Sequence, residues 1–98
     1  NVFPRTYPRG TSVEVIKSKC VFDLNKKKIN SFFREHITSY FYNNYRNYRI
    51  INFNNRRNFS KINLSVDTKS DLKKIRKAIV KENFFNMSWK KIINITHI

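Results

Sequence analysis

The stretch that most constrains this chain is Ile62 to Ile79, because strand, turn and helix signals follow one another there without conflict. Ile62, Leu64 and Val66 alternate with Asn63, Ser65 and Asp67, the period-2 pattern of a strand with one apolar and one polar face. Asp67 ends that strand. Thr68 and Asp71 then have the S/T-x-x-D/E spacing of a capping box, in which the threonine hydroxyl accepts from the N3 amide and the acid sits near the positive helix end. Leu72, Ile75, Ala78 and Ile79 supply a 3.6-period apolar stripe, with Lys73, Lys74, Arg76, Lys77 and Lys81 mostly on the other sides. The unit is a strand, an acidic turn and an amphipathic helix.

Around these residues three segments, in order, resemble one family. Val66-Asp67-Thr68-Lys69-Ser70-Asp71-Leu72 is similar to the V-D-T-P-E-D-L signature of sugar cytidylyltransferases of the spore-coat polysaccharide protein F group, related to the CMP-acylneuraminate and CMP-Kdo synthetases. Tyr7-Pro8-Arg9-Gly10-Thr11-Ser12-Val13-Glu14-Val15 resembles the family's F-P-R-G-L-D-V-E-V, and Arg34-Glu35-His36-Ile37-Thr38-Ser39-Tyr40 resembles R-E-H-V-T-P-Y. The resemblance implies an α/β fold, the C-terminal portion of a nucleotide-diphospho-sugar transferase-like three-layer α/β/α sandwich. Residues 1–98 would then be a single partial domain whose N-terminal half lies upstream. It also implies CMP transfer from CTP to a sugar in surface polysaccharide biosynthesis, with CTP and the sugar bound once that half is joined.

Site residues carry over one at a time. Asp67 matches the family's metal-binding aspartate, and a carboxylate there suits a hard Mg²⁺ ion that keeps several waters and is shared with substrate phosphates. A cap before the helix would use the same acid equally well. Asp71 matches the second aspartate of the signature, but its place in the first turn favours capping. Glu14 matches the glutamate of the V-E-V segment and is a candidate for sugar binding; read alone, it is a solvated position on an edge strand. Arg9 and Arg34 are candidates for sugar or phosphate contacts, Arg34 equally for a contact within a homodimer. His36 is a lone histidine with no partner at a convincing spacing. No catalytic acid, base or nucleophile is assigned. The chain also departs from the pattern. Ser12 and Thr11 replace Asp and Leu, Ser39 replaces Pro, and Asn63 stands where an arginine often precedes the Val-Asp-Thr element. With one glycine, the chain has no Gly-rich phosphate loop, so the cytidine site itself is not encoded in these residues.

Elsewhere the pattern predicts a short strand over Ser12 to Lys17, a helix from Ser18 to Phe33 weakened by Asn25 and Asn30, and a second helix carrying Arg34 to Phe41. It further predicts a strand from Tyr48 to Phe53, a polar loop at residues 54–58, a turn at Asn83 to Met87 and a last helix capped by Ser88, with Trp89, Ile92 and Ile93 on its apolar face.

A net charge of +15 on 98 residues calls for polyanionic partners. The excess of Lys, Asn, Ile, Phe and Tyr is also what an AT-rich coding sequence gives to any protein. A competing reading takes Tyr40, Tyr42, Tyr45 and Tyr48, interleaved with Arg46, Arg49, Arg56 and Arg57, as stacking and phosphate groups of a small RNA-binding module. A remnant with no ligand of its own is a third. No recognised RNA-binding signature accompanies these residues. Lone Cys20 excludes an internal disulfide and a cysteine zinc site. No apolar run is long enough to span a bilayer, and the expected location is the cytoplasm.

Overall fold

The computed structural model describes residues 1–81 and 86–96. These residues form two compact units, one built from Asn1–Val13 with residues 54 onward, the other from Glu14–Phe53.

The first unit begins with a segment held by side chains and turns. Asn1 is buried and takes up both Thr11 and Val13: its Nδ2 donates to the Thr11 carbonyl at 3.0 Å, and its Oδ1 accepts from the Val13 amide at 2.9 Å. An antiparallel bridge joins Val2 to Arg5. Pro8 is fully buried. The amide and hydroxyl of Thr11 both donate to the Pro8 carbonyl, at 3.3 and 2.8 Å. That closes a four-residue turn with Gly10 at the position where a type II turn needs positive φ; here φ is 94°. Within the turn, Arg9 bridges in parallel to Asn63, its amide donating to the Ile62 carbonyl at 2.9 Å and its carbonyl accepting from the Leu64 amide at 2.8 Å.

After Thr68 comes helix α4, Lys69–Lys81, and then helix α5, Trp89–Thr96, which packs against it. The capping box forms as its spacing predicts: Thr68 Oγ1 accepts from the Asp71 amide at 3.1 Å, and Asp71 Oδ2 accepts from the Thr68 amide at 2.9 Å. Ser88 Oγ likewise accepts from the Lys91 amide, at 3.4 Å. Trp89 locks α5 to the rest of the unit by edge contacts with Tyr7, centroids 5.8 Å apart, and Phe59, 5.4 Å apart. Ala78 and Ile93 are buried, whereas Leu72 and Ile79 remain 39% and 46% exposed, so the apolar stripe of α4 is only half used. The turn expected at Asn83 to Met87 falls largely outside the described residues.

In the second unit, helix α1 spans Ser18–Asn25, α2 Ser31–Glu35 and α3 Ile37–Asn43, followed by a 3₁₀ turn at Tyr45–Asn47. The single helix expected from Ser18 to Phe33 is broken. Lys26, Lys27 and Lys28 repel one another there, and Asn30 starts α2 by accepting from the Phe33 amide at 3.0 Å. The second expected helix is interrupted at His36, whose φ of −117° and ψ of 66° leave the helical region. Leu24 and Phe41 are buried. Phe41 takes edge contacts from Tyr40 and from Tyr48, the latter with centroids 4.9 Å apart.

None of the three expected strands is regular. Among the described residues, β structure is limited to two isolated bridges, and the sheet of the expected sandwich is not formed. Each failure has a local cause. Gly10 turns the segment opposite Asn63 away after one bridge, and on the other edge Asn63 Oδ1 accepts from the Ser65 amide at 2.9 Å. Asn1 takes the Val13 amide, and Val15 is 93% exposed. Residues 49–55 are without regular structure, and Ile51 is 79% exposed.

Gly10→Ala would place a Cβ 2.7 Å from the Ser65 nitrogen and 2.8 Å from the Leu64 carbonyl carbon, both backbone atoms, at a φ that alanine rarely adopts. The expected cost is about 1–3 kcal/mol, read as a lower midpoint in urea denaturation; an unchanged midpoint would mean that the Arg9 bridge does not hold the unit. Thr68→Ala should cost about 1 kcal/mol through the lost cap, and thermal melting of that variant checks it.

Candidate functional site

Two turns in the first unit meet at a cleft. One is Pro8–Thr11, with Arg9 at its corner. The other is Phe59–Ile62, closed by the Ile62 amide donating to the Phe59 carbonyl at 2.9 Å, with Ser60 and Lys61 at its corner. Asn58 sets the second turn by accepting from the Ser60 amide at 2.9 Å. The parallel bridge fixes one turn against the other. Between them Arg5, Arg9, Ser60, Lys61 and Asn63 line an open cleft of about 620 Å³. Arg5 is half-buried and anchored, its Nη1 donating to Ser12 Oγ at 3.0 Å and reaching the Pro8 carbonyl at 3.5 Å. Arg9 and Lys61 are exposed, and no carboxylate lines the cleft.

Asn63 stands between this cleft and the acidic turn. Its Oδ1 accepts from the Ser65 amide and from Ser65 Oγ at 2.6 Å, and its Nδ2 reaches Asp71 Oδ1 at 3.5 Å. Ser65 Oγ lies equally close to Asp67 Oδ2, at 2.6 Å. One hydroxyl carries one proton, so it donates to Asn63 or to Asp67, never to both. The two aspartates divide their work. Asp71 Oδ2 is saturated by the Thr68 hydroxyl and by the amides of Thr68 and Asp67, at 2.8, 2.9 and 3.1 Å, which makes it a cap. Asp67 is exposed and, among the described residues, accepts from Ser65 Oγ.

That division bears on a metal. Among the described residues, no group of three or more His, Cys, Asp or Glu side chains comes together to hold an ion. A preformed cage is therefore not offered. The donor set is nevertheless of the right chemistry for Mg²⁺, which is bound by one or two carboxylates and completes its shell with water and substrate phosphate. Asp67 is exposed, whereas Oδ2 of Asp71 is committed to the cap.

Of the four residues singled out from the sequence, Arg9 and Asp67 lie in the first unit, linked through Asn63 and Ser65, while Glu14 and Arg34 lie in the second. Within that second unit Glu14 is exposed and accepts a hydrogen bond from the Tyr42 hydroxyl, and Arg34 is exposed on α2. Arg5, Ser60 and Lys61 were not singled out. Their convergence depends on the Arg9–Asn63 register, which joins residues far apart in sequence. The local hint was Lys61 two positions before Asn63, and so on the same strand face. The tyrosines of the competing reading are largely spent on packing: Tyr40 and Tyr48 pack on Phe41, and Tyr42 bonds Glu14. Tyr45 is half exposed, with the Arg46 guanidinium 5.8 Å from its ring centre.

The chain has a nucleotidyltransferase-like fold, shown by its match to a solved structure. In particular, the chain is similar to the solved structure of a cytidylyltransferase from Leptospira borgpetersenii serovar Hardjo-bovis (strain JB197), with a TM-score of 0.88 and 26% sequence identity. The match covers 99% of this chain and 41% of that protein. No protein-family model and no curated protein matches the chain. No helix among the described residues is long and apolar enough to cross a membrane.

The hydroxyl of Thr68, with the amides of Asp67 and Thr68, holds the Asp71 carboxyl below its ordinary pKa of 3.8. A lowered folded-state value means that the ionised cap stabilises the fold above about 3.8 and that this contribution is lost as pH falls through the lower value. Carbon-13 carboxyl titration by NMR should give an Asp71 midpoint under 3.8, moving back up toward 3.8 in Thr68→Ala because the largest cause has been removed.

Proposed function

We propose that this chain supplies the C-terminal part of a sugar cytidylyltransferase of the spore-coat polysaccharide protein F type, transferring CMP from CTP to a sugar of a surface polysaccharide. The observation that carries the reading is the structural match to a cytidylyltransferase over 99% of the chain. Three segments that resemble the family lend it local support. Because the chain spans 41% of that protein, the nucleotide-binding portion is expected in residues outside this sequence.

In the reaction an oxygen of the sugar attacks the α-phosphorus of CTP. The new O–P bond forms as the bond to the β-phosphate oxygen breaks, pyrophosphate leaves, and the sugar hydroxyl proton passes to a base that this chain does not identify. Charge builds on phosphate oxygens, so the residues required are cations and a metal-holding acid. When bound, Mg²⁺ supplies neutralisation of that charge. Asp67 is the residue that would hold it, and its exposed carboxylate is in keeping with a metal shared with the nucleotide. Ser65 and Asn63 fix the turn that carries Asp67. Arg9 stands on the same hydrogen-bonded segment and contributes positive charge, while Glu14, oriented by Tyr42, and Arg34 are the candidates for sugar contacts. The RNA-binding reading gains little, because three of its four tyrosines pack or bond within the second unit.

The test uses the complete product of the gene that encodes this chain, assayed for Mg²⁺-dependent release of pyrophosphate from CTP in the presence of acidic sugars. Asp67→Ala is expected to lower the rate by about 100-fold with its melting temperature unchanged. Equal rates for wild type and variant would remove Asp67 from the metal site, and no CTP-dependent release with any sugar would remove the transferase reading.

A further inference from the structure

The cleft lined by Arg5, Arg9 and Lys61 has more positive charge than the folded chain uses. Arg5 is spoken for in position but not in charge: its partners are a hydroxyl and a carbonyl, neither of which neutralises a guanidinium. Neither Arg9 nor Lys61 is in an ion pair among the described residues, where the one salt bridge joins Lys19 to Asp23 in the other unit. Around the cations are Ser60 and Asn63 rather than apolar side chains. The backbone that carries Arg9 and Lys61 is fixed on both sides, by two tight turns and the bridge between them.

From this arrangement we propose that the cleft is a binding site for a phosphate-class dianion, either inorganic phosphate, pyrophosphate or the terminal phosphate of a larger ligand. Charge decides the class. A phosphate carries about −1.5 to −2 at neutral pH and has three strong acceptor oxygens; a carboxylate brings one charge and two oxygens. Planar guanidinium forks pair with two phosphate oxygens at once, and an ammonium acts as a compact point charge. Arg5 and Arg9 are the forks, Lys61 is the point charge, and Ser60 adds a hydroxyl that can donate to a remaining oxygen. The site is distinct from Asp67, and Asn63 separates the two. It does not depend on the transfer reaction: phosphate binding is read without CTP or sugar, so failure of the transferase reading would leave it standing.

Titration of the isotopically labelled chain with phosphate and with pyrophosphate, followed by amide NMR at constant ionic strength, tests the proposal. Saturable shifts at Gly10, Lys61 and Asn63 are expected, with Arg9→Gln and Lys61→Gln each weakening binding by about tenfold. Both side chains are exposed, and unchanged Thr68 and Asp71 amide shifts will show that each variant keeps its fold. Saturation by pyrophosphate but not by phosphate would assign the site to a diphosphate and support the proposal. It is overturned if chloride at equal ionic strength produces the same shifts, if acetate saturates the site with equal affinity, or if neither variant changes the binding. It is equally overturned if single-stranded RNA binds with a steep salt dependence while neither phosphate nor pyrophosphate saturates the cleft.

Discussion

The first unit depends on a clamp made by the backbone of one residue. Arg9 donates to Ile62 and accepts from Leu64, and through those two hydrogen bonds the N-terminal segment is held against the segment that leads into α4. Everything chemical in the unit is positioned from there. The clamp sets Arg9 and Arg5 opposite Lys61, and it fixes the strand-like stretch whose far end carries Asp67. It also explains the glycine. Pro8 brings the chain to the clamp and Gly10 lets it leave, at a point where the Leu64 and Ser65 backbone leaves no room for a side chain.

Polar side chains stand in for a sheet throughout this unit. Asn1 serves Thr11 and Val13, Thr6 accepts from Asn55 through its hydroxyl at 2.8 Å and from Phe59 through its carbonyl, also at 2.8 Å, and Asn63 serves Ser65. Backbone groups that would pair along a ladder are satisfied one at a time instead, which is what a chain rich in asparagine can do without regular strands. The cost is apolar surface left in contact with water. Val13, Val66 and Leu72, all meant by their periodicity to face inward, are each more than one-third exposed.

Sequence reading reached what is local. The box of Thr68 and Asp71 and the Ser88 cap involve partners three residues apart, so spacing alone specifies them, and both form. Period-2 alternation, by contrast, names a face and not a partner. At Ile62 to Val66 the alternation is real, yet the ladder is one bridge long because the facing segment turns away at Gly10. For Asp67 the sequence left ligand and cap equally open; the geometry gives the cap to Thr68 and Asp71. The cleft was out of reach for a different reason. Arg5 and Lys61 carry no motif, and only the register between Arg9 and Asn63 sets them face to face.

Ser65 is the hinge of the acidic turn in a sense beyond hydrogen-bond counting. Its hydroxyl faces two acceptors at 2.6 Å with one proton to give, so it behaves as a two-position rotor. Pointed at Asp67 it satisfies that carboxylate; pointed at Asn63 it reinforces the turn. A cation held by Asp67, as proposed, would compete with the first position and favour the second. Charge at one end of the turn would then tighten the Ser65–Asn63 contact at the other, next to the cleft, by rotation about a single bond.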